Sequence, residues 1–267
     1  MSRIQKALQK IKDQRSHSSA GMGKSKSALE GIQYTDTKVI TSDFTRLVKN
    51  RVLAASDSDP RSQIFKTLRT RVVKAMREHD WVSLGVTSTV QGEGKSMLAS
   101  NLAVALSMEM NQSVLLVDLD FKNPSIAKYF DLDISAGLFE HIEGKAALKD
   151  VLVNPGFERL VILPIAHAIS QSAETLSAPK MSALMEEIKS RYKSRIVICD
   201  LPPVLPTDDV LAASSYVDCA LLVVEDGKNS EASVRQCMAM LQHTQLLGAV
   251  LNKASQPQGL SDYLAGY

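Results

Sequence analysis

The sequence predicts an α/β protein with a doubly wound, mostly parallel sheet and helices on both faces, preceded by a basic N-terminal segment that is partly helical and partly flexible. From about residue 81 onward, short β-rich runs alternate with amphipathic helical stretches, which is typical of a parallel sheet. The runs are nearly all apolar, as expected for strands that are covered on both faces. With 267 residues, of which 45% are hydrophobic, the chain can build a large core in one or two domains.

The elements follow from hydrophobic periodicity in chain order. Residues 38–60 show no clear pattern. Helical spacing predicts helices at 64–77, 95–110, 179–193, 209–214 and 230–243. Apolar runs rich in β-branched residues predict strands at 81–87, 113–118, 160–165, 195–200, 219–225 and 247–252.

The first part of the chain is basic, whereas the remainder is acidic. Residues 1–80 carry 17 basic and 8 acidic side chains, although the formal net charge of the chain is only +2. Residues 1–15 have the spacing of a short amphipathic helix, and residues 16–37 are rich in Ser, Gly and Lys, which indicates a flexible linker. This segment favours an anionic partner. Docking on a protein is preferred over binding to a membrane surface, because the short helix has no aromatic anchor.

Composition excludes several classes of protein. The three cysteines, Cys199, Cys219 and Cys237, are too few and too scattered for a disulfide framework, and they suit a reducing compartment. No stretch reaches 18 apolar residues, and the first ten residues lack the apolar core of a secretory signal. We therefore expect a cytoplasmic protein.

A phosphate-binding loop follows the first strand of this alternating part. Residues 87–96 read TSTVQGEGKS and end in the Gly-Lys-Ser that such loops place between a strand and a helix. Gly92 and Gly94 permit backbone angles that turn N–H groups toward a polyphosphate. Lys95 is predicted to reach the β- and γ-phosphates, and the Ser96 hydroxyl to bind Mg²⁺.

Aspartates stand at the carboxyl ends of two further predicted strands. Asp118 and Asp120 are two residues apart and share a face, at the edge where ligands bind to open parallel sheets. Asp200 ends an apolar strand before two prolines, the form of a Walker B strand whose aspartate holds Mg²⁺. Asp209 is predicted to open a helix, with Thr207 as its cap, rather than to act in catalysis.

The loop and the aspartates together predict an Mg-nucleotide site. Mg²⁺ is assigned to Ser96, Asp118 and Asp200. The loop residues predicted to bind the nucleotide are Gln91, Gly92, Glu93, Gly94, Lys95, Ser96 and Met97.

Five segments carry a resemblance to a known family: SQIFKTLRTRV (62–72), VTSTVQGEGKS (86–96), VLLVDLDFKNP (114–124), IVICDLPPVLPTDD (196–209) and LLGAVLNK (246–253). They resemble the bacterial tyrosine autokinases of capsule and exopolysaccharide synthesis, which belong to the MinD/ParA-like branch of the P-loop proteins. The opening MSRIQKALQK is also similar to the start of autokinases from exopolysaccharide and exosortase loci.

The resemblance implies roles for individual residues in transfer of a phosphoryl group from ATP to tyrosine. Lys95, Asp118 and Asp120 are the implied catalytic residues. Asp118 would help to deprotonate the attacking hydroxyl or position the metal, and Asp120 would support Mg²⁺ and its waters. Asn252 matches the asparagine that reads adenine in MinD-like proteins.

The resemblance also divides the chain into three parts. Residues 1–60 are the basic helix and linker, residues 61–255 the P-loop kinase domain, and residues 256–267 a tail. The tail carries Tyr263 and Tyr267, the implied phosphoacceptors, which a neighbouring copy would phosphorylate.

Partners and self-association follow from the same resemblance. The implied partner is a membrane polysaccharide chain-length regulator of the Wzz type, which would recruit the chain to the inner face of the cytoplasmic membrane; nucleic acid is not favoured. The family's oligomer-forming helix commonly reads E-x-x-R-x-x-R, and Gln63, Lys66 and Arg69 stand at those positions. Self-association is expected, but through a weakened motif.

Two other functions remain open. One is a MinD/ParA-type ATPase switch, although such proteins carry a second lysine early in the loop where this chain has Val90. The other is a scaffold of polysaccharide assembly that binds ATP without kinase activity.

Overall fold

The computed structural model describes residues 37–56, 58–109, 112–190 and 194–254. The helix predicted at 1–15, nearly all of the predicted linker, and the tail with Tyr263 and Tyr267 lie outside these residues. In the part of the chain that the structure describes, no helix has both the length and the apolar character needed to cross a bilayer.

Eight strands form one sheet in the order β1-β4-β5-β3-β6-β2-β7-β8. Neighbouring strands are parallel except for β4 and β5, which are antiparallel. The strands are β1 (Lys38–Val39), β2 (Ser83–Ser88), β3 (Ser113–Asp118), β4 (Val153–Asn154), β5 (Leu160–Leu163), β6 (Arg195–Asp200), β7 (Cys219–Glu225) and β8 (Gln245–Asn252).

Helices cover both faces of this sheet, and a 3₁₀ turn at Leu53–Ala55 precedes the second of them. The helices are α1 (Phe44–Lys49), α2 (Ser62–Glu78), α3 (Lys95–Ser107), α4 (Ile126–Tyr129), α5 (Leu138–Ile142), α6 (Leu148–Val151), α7 (Ser172–Leu176), α8 (Pro179–Ser190), α9 (Asp209–Ser214) and α10 (Glu231–Met240).

The core consists of layers on the two faces of the central strands. In β3, Val114 and Leu116 belong to the layer that includes α2 and α3. Leu115 and Val117 belong to the opposite layer, which includes α5 and α8. Alternate side chains of a strand point to opposite faces, so an all-apolar strand must be covered on both sides. The predicted α/β class with a mostly parallel sheet is confirmed.

Residues 38–56, which showed no sequence pattern, add to the same sheet. β1 pairs with β4, with Lys38 opposite Val153. The 3₁₀ turn packs on α3, where the Asn101 side chain accepts a hydrogen bond from Ala54 N at 2.8 Å and donates one to Arg51 O at 2.8 Å. The segment before the second helix is thereby tied to the helix that follows the phosphate-binding loop.

The strand order brings the three predicted motifs together. β6 lies between β3 and β2, with Asp118 opposite Asp200 and Val86 opposite Asp200 in the two ladders. The loop follows β2, and the aspartates end β3 and β6. All three motifs therefore meet at the carboxyl edge of the sheet, where ligands bind in open parallel sheets.

Candidate active site

The phosphate-binding loop joins β2 to α3 in left-handed backbone conformations. Gly92 has a φ of 85° and Gly94 a φ of 100°, which only glycine adopts without strain. α3 begins at Lys95 directly after the loop, so its free N–H groups face the same space. The loop can therefore hold a polyphosphate with backbone donors and the helix N-terminus.

The loop backbone is held in place by the side chain of Glu93 and by side chains from outside the loop. The Glu93 side chain is buried and accepts hydrogen bonds from Val90 N, at 3.1 Å, and from the Asn229 amide. Asn252 Nδ2 donates to Glu93 O at 2.7 Å, and Lys253 Nζ donates to Gly92 O at 2.9 Å. Glu93 thus supports the loop from beneath, and the last strand supports it from the side.

Lys95 lies against two of the predicted aspartates. Its Nζ is 2.8 Å from Asp120 Oδ2 and 3.2 Å from Asp200 Oδ1, and its side chain is only 6% exposed. Burial alone would lower the pKa of this ammonium, but the charges of Asp200 and Asp120 outweigh burial and raise the pKa above its usual value. Lys95 is therefore a permanent cation at neutral pH.

Asp118 uses both oxygens on backbone groups. Oδ2 accepts hydrogen bonds from Ser125 N at 3.0 Å and Ile126 N at 3.1 Å, and Oδ1 accepts one from Asp120 N at 3.1 Å. Burial and the nearby charge of Asp200 raise the pKa of the Asp118 carboxyl, although Lys95 and the N–H donors oppose them. Asp118 thus shapes the turn after β3 and is easier to protonate than a free aspartate.

The residues at this edge suit a hard divalent cation. Asp118, Asp120 and Asp200 are buried beside a single ammonium, so negative charge is in excess. Asp200 Oδ2 is buried and makes no hydrogen bond of normal geometry with the described residues. The Ser96 hydroxyl lies 3.3 Å from Lys95 Nζ in the same cluster. Carboxylate and hydroxyl oxygens are the ligands that Mg²⁺ prefers, so the donor set fits this ion.

A second ion pair joins the loops that follow β3 and β6. Lys122 Nζ is 2.9 Å from Asp209 Oδ2, which also accepts a hydrogen bond from Ser172 Oγ at 2.7 Å. Thr207 Oγ1 accepts a hydrogen bond from Asp209 N at 3.0 Å, although the N-cap residue of α9 is Asp208 rather than the predicted Thr207. Asp209 therefore positions a helix start and a loop, in agreement with its predicted structural role.

A cavity of about 350 Å³ opens above these groups and is lined by most of the predicted nucleotide residues. Glu93 is not among the lining residues, because its side chain turns beneath the loop. Sequence reasoning missed Arg51 and Tyr129, for which no motif gave a signal. It also missed Lys253, although that residue directly follows Asn252. The predicted residues that line the cavity are Gln91, Gly92, Gly94, Lys95, Ser96, Met97 and Asn252.

Replacing Gly94 with alanine is expected to weaken nucleotide binding about 100-fold. The new Cβ would overlap Asn252 Nδ2, and the left-handed backbone would be strained. A Cβ at Gly92 would meet nothing within 4 Å despite its φ of 85°. Gly92→Ala is thus the matched control with strain alone, for which we expect a loss of about tenfold. Titration with a fluorescent ADP analogue measures both affinities.

The same titration can identify the cause of the Gly94→Ala defect. Asn252→Ala removes the overlapping group, so the affinity that Gly94→Ala loses is expected to be smaller in an Asn252→Ala background than in the wild-type background. The explanation is wrong if Gly94→Ala lowers the affinity equally in the two backgrounds, or if Gly92→Ala is as defective as Gly94→Ala.

Comparison with known families identifies the P-loop class. The model of the ParA family, described as NUBPL iron-transfer P-loop NTPase, matches residues 82–256. This match covers more than half of the chain and includes the loop, the three aspartates and Asn252.

Among curated proteins, the chain is similar to tyrosine-protein kinase YwqD of Bacillus subtilis. The two are 28% identical over 211 residues, which span 78% of this chain and 87% of that protein. It is also similar to the succinoglycan biosynthesis transport protein ExoP of Rhizobium meliloti. Here the identity is 27% over 218 residues, which span 80% of this chain but 27% of that protein.

Among solved structures, the kinase domain of Escherichia coli tyrosine kinase ETK superimposes with a TM-score of 0.69 at 26% identity, covering 78% of this chain and 83% of that one. MinD of Pyrococcus horikoshii, complexed with Mg-ADP, superimposes with a TM-score of 0.55 at 23% identity, covering 68% and 76%. The MinD likeness shows the shared fold. The relatives and the ETK domain confirm the predicted resemblance to bacterial tyrosine kinases, and the chain belongs to the ParA family of P-loop NTPases.

Proposed function

We propose that this chain transfers the γ-phosphoryl group of ATP to tyrosine hydroxyls, its own Tyr263 and Tyr267 among them, and thereby regulates the polymerisation and export of an exopolysaccharide or capsule. The predicted enzyme class, a bacterial protein-tyrosine kinase of the P-loop type, is confirmed by the relatives and by the kinase-domain structure. The observation that carries the proposal is the cluster of Lys95, Asp120 and Asp200 beneath the phosphate-binding loop.

The loop is suited to binding and orienting the polyphosphate. Its glycines present backbone N–H groups, and Lys95 supplies a buried positive charge. Such preorganised donors stabilise the charge that spreads over the transferring phosphoryl group. Ser96 and Asp200 would hold Mg²⁺ with support from Asp120, and the ion, when bound, would neutralise phosphate charge. Asn252 lines the same cavity, where it would lie beside the nucleotide.

Asp118 is the proposed acceptor of the tyrosine proton. It lies in the aspartate cluster beneath the cavity, and the pKa of its carboxyl is raised by burial and by Asp200. A carboxylate whose conjugate acid has a pKa shifted toward neutrality is a stronger base at physiological pH than an ordinary aspartate, and it is therefore a better proton acceptor in phosphoryl transfer. Its backbone contacts keep the carboxylate in a fixed position.

The proposed setting is a complex at the inner face of the cytoplasmic membrane with a polysaccharide chain-length regulator. The name of one relative, the succinoglycan biosynthesis transport protein ExoP of Rhizobium meliloti, supports a role in polysaccharide export. Self-association would use α2, where Gln63 is exposed and Arg69 pairs with Glu109 at 3.1 Å. Because Arg69 already has this partner, we expect the contact between copies to be weaker than an E-x-x-R-x-x-R motif would give.

Phosphotyrosine mapping tests the proposal. Purified protein incubated with Mg-ATP is expected to gain phosphate on Tyr263 and Tyr267, as detected by mass spectrometry. The double variant Tyr263→Phe/Tyr267→Phe is expected to lose this signal while it keeps nucleotide affinity, because neither tyrosine is among the residues proposed to bind the nucleotide.

The alternatives give different results in the same experiment. A wild-type protein that dimerises with ATP but gains no phosphotyrosine would be an ATPase switch. One that binds ATP, gains no phosphotyrosine and does not change its association state would be a scaffold. Either result contradicts the kinase proposal.

A further inference from the structure

Arg51 occupies a backbone position at which glycine is the usual residue. α1 ends at Lys49, and Arg51 follows shortly with a left-handed φ of 66°. Arg51 N donates a hydrogen bond to Val48 O at 2.9 Å, and Val52 N donates one to Leu47 O at 2.8 Å. These two hydrogen bonds define the Schellman motif, whose left-handed residue is commonly glycine because a Cβ is strained there. An arginine at this position therefore indicates a role for its side chain that outweighs the strain.

The strained backbone of Arg51 is fixed to the helix that follows the phosphate-binding loop. Asn101 Nδ2 donates a hydrogen bond to Arg51 O at 2.8 Å and another to Met97 O at 2.8 Å. Asn101 lies in α3, one turn beyond Met97, and Met97 lines the nucleotide cavity. Arg51 is thus held at a constant position relative to the loop. Backbone strain that is maintained by surrounding contacts in this way is typical of functional positions.

The nucleotide cavity is lined by three cations, which are Arg51, Lys95 and Lys253. Lys95 pairs with two aspartates beneath the loop, and Lys253 pairs with Glu225 at 3.0 Å. The Arg51 side chain is exposed and forms no ion pair with any residue that the structure describes. Within the described part of the chain, Arg51 is therefore the cavity cation whose charge is available to an anionic ligand.

Tyr129 relates the position of Arg51 to the phosphate end of the cavity. The lysine of a phosphate-binding loop reaches the β- and γ-phosphates, so the γ-phosphoryl group is expected beside Lys95 and the proposed metal ligand Asp200. Burial and the charge of Asp200 raise the pKa of the Tyr129 phenol. The positive charges of Arg51 and Lys95 act on this pKa in the opposite direction. Tyr129 therefore lies within electrostatic reach both of Arg51 and of the groups that surround the γ-phosphoryl position.

We propose that Arg51 binds the γ-phosphoryl group of ATP in cis and supplies a second cation that the phosphate-binding loop itself lacks. This inference rests on the nucleotide-binding part of the function proposed above. MinD/ParA-type proteins carry a second loop lysine where this chain has Val90, and here the cation comes from the turn after α1. The guanidinium has a permanent charge and can form two parallel hydrogen bonds with phosphate oxygens. An arginine placed in this way stabilises the charge of the transferring phosphoryl group.

The test compares two nucleotides by isothermal titration calorimetry of the full chain. Mg-AMP-PNP carries a γ-phosphoryl group that is not transferred, whereas Mg-ADP lacks this group. Arg51→Met is expected to weaken binding of Mg-AMP-PNP about tenfold and to leave binding of Mg-ADP within about twofold, because only the γ-phosphoryl group loses a partner. Arg51→Lys keeps the charge but not the paired donors, so its affinity for Mg-AMP-PNP is expected to lie between those of wild type and Arg51→Met.

Two further variants separate a phosphate contact from general charge and from a structural role. Lys49→Met removes the same charge from the same segment, at an exposed lysine that does not line the nucleotide cavity, and it is expected to bind both nucleotides like wild type. Arg51→Gly introduces the usual residue of the Schellman motif. It is expected to melt at the wild-type temperature or above, yet to bind Mg-AMP-PNP as weakly as Arg51→Met. If the arginine were only structural, either replacement would lower the melting temperature.

Several outcomes would overturn the inference. They are an equal loss of affinity for the two nucleotides in Arg51→Met, unchanged affinity for both, the same loss for Mg-AMP-PNP in Lys49→Met, and a fall in the melting temperature of Arg51→Gly that parallels its loss of affinity. Because calorimetry with these nucleotides involves no phosphoryl transfer, it is independent of the phosphotyrosine test. A selective loss for Mg-AMP-PNP in Arg51→Met, with no phosphotyrosine in wild type, would contradict the kinase proposal alone. Phosphotyrosine in wild type, with unchanged affinities in Arg51→Met, would contradict the role of Arg51 alone.

Discussion

Replacement of Lys95 by methionine is expected to lower the rate of tyrosine phosphorylation by about 10³-fold or more. Lys95 Nζ lies 2.8 Å from Asp120 and 3.2 Å from Asp200, and its pKa is raised, so it carries a full charge at every pH at which the enzyme would work. Methionine has a similar length but no charge. Loss of one preorganised charge that stabilises a transferring phosphoryl group costs two to five orders of magnitude in rate.

The measurement is single-turnover transfer from radiolabelled ATP at saturating nucleotide, with Lys145→Met as the matched control. Lys145 is an exposed lysine that does not line the cavity, so its variant should react at the wild-type rate. If Lys95→Met retained more than about a tenth of the wild-type rate, Lys95 would not have the role assigned to it. Thermal unfolding of the variant, followed in parallel, separates loss of catalysis from loss of fold.

The second large effect is expected at Asp218, which joins three elements below the site. Its Oδ2 accepts hydrogen bonds from Val82 N and Ser83 N, both at 2.9 Å, and its Oδ1 lies 2.6 Å from Lys189 Nζ. Hydrogen bonds to a charged group contribute about 1.5–3 kcal/mol each to stability. Removing the carboxylate also leaves the N–H donors of its partners without an acceptor. Asp218→Ala is expected to lower the free energy of unfolding by about 3 kcal/mol and the melting temperature by roughly 6–10 °C.

The pH dependence of this effect has a definite sign. Burial would raise the pKa of the Asp218 carboxyl, but Lys189 and the backbone donors outweigh burial and lower the pKa. A carboxyl whose folded-state pKa is depressed contributes stability above its unfolded pKa of about 4, and this contribution is lost as the pH falls through the folded-state value. The difference between wild type and Asp218→Ala should thus be largest near neutral pH and shrink below about pH 4.

Urea titrations at pH 7 and pH 3.5 measure this difference. Lys189→Met provides the companion variant, because it removes the ion pair but leaves the backbone hydrogen bonds of Asp218. Lys189→Met should lower the free energy of unfolding by less than Asp218→Ala does. An equal cost for the two variants, or a pH-independent effect of Asp218→Ala, would show that the carboxylate does not act through these contacts.

The strands that carry the site could be predicted from the sequence because each is an apolar run with a polar residue at its end. The bounds of β3, β6 and β7 coincide with the predicted runs at 113–118, 195–200 and 219–225. By contrast, β1 and β4 have two residues each. Such short strands show no periodicity and are formed by their partners in the sheet. The α1 segment is equally hard to predict, because the 3₁₀ turn that follows it is held by Asn101 of α3.

The candidate site shows the same contrast between residues that belong to a motif and residues that are placed by contacts distant in sequence. The loop glycines, Lys95 and the aspartates form recognisable motifs, since phosphate and metal binding require those residue types at that spacing. The inward turn of Glu93 is not contained in any motif, because it depends on Asn229, which is 136 positions away in sequence. Arg51 likewise has a long-range contact that no motif contains, since its carbonyl accepts a hydrogen bond from Asn101, which is 50 positions away in sequence.

The contacts of the last strand with the loop have a thermodynamic consequence. Asn252 and Lys253 donate hydrogen bonds to the carbonyls of Glu93 and Gly92, and in the sequence they come shortly before the proposed acceptor tyrosines. Any event that moves Asn252 and Lys253 away from the loop must also lower the affinity of the loop for the nucleotide. By reciprocity, bound nucleotide opposes that event with the same free energy. Displacement of Asn252 and Lys253 from the loop and release of the nucleotide are therefore linked equilibria.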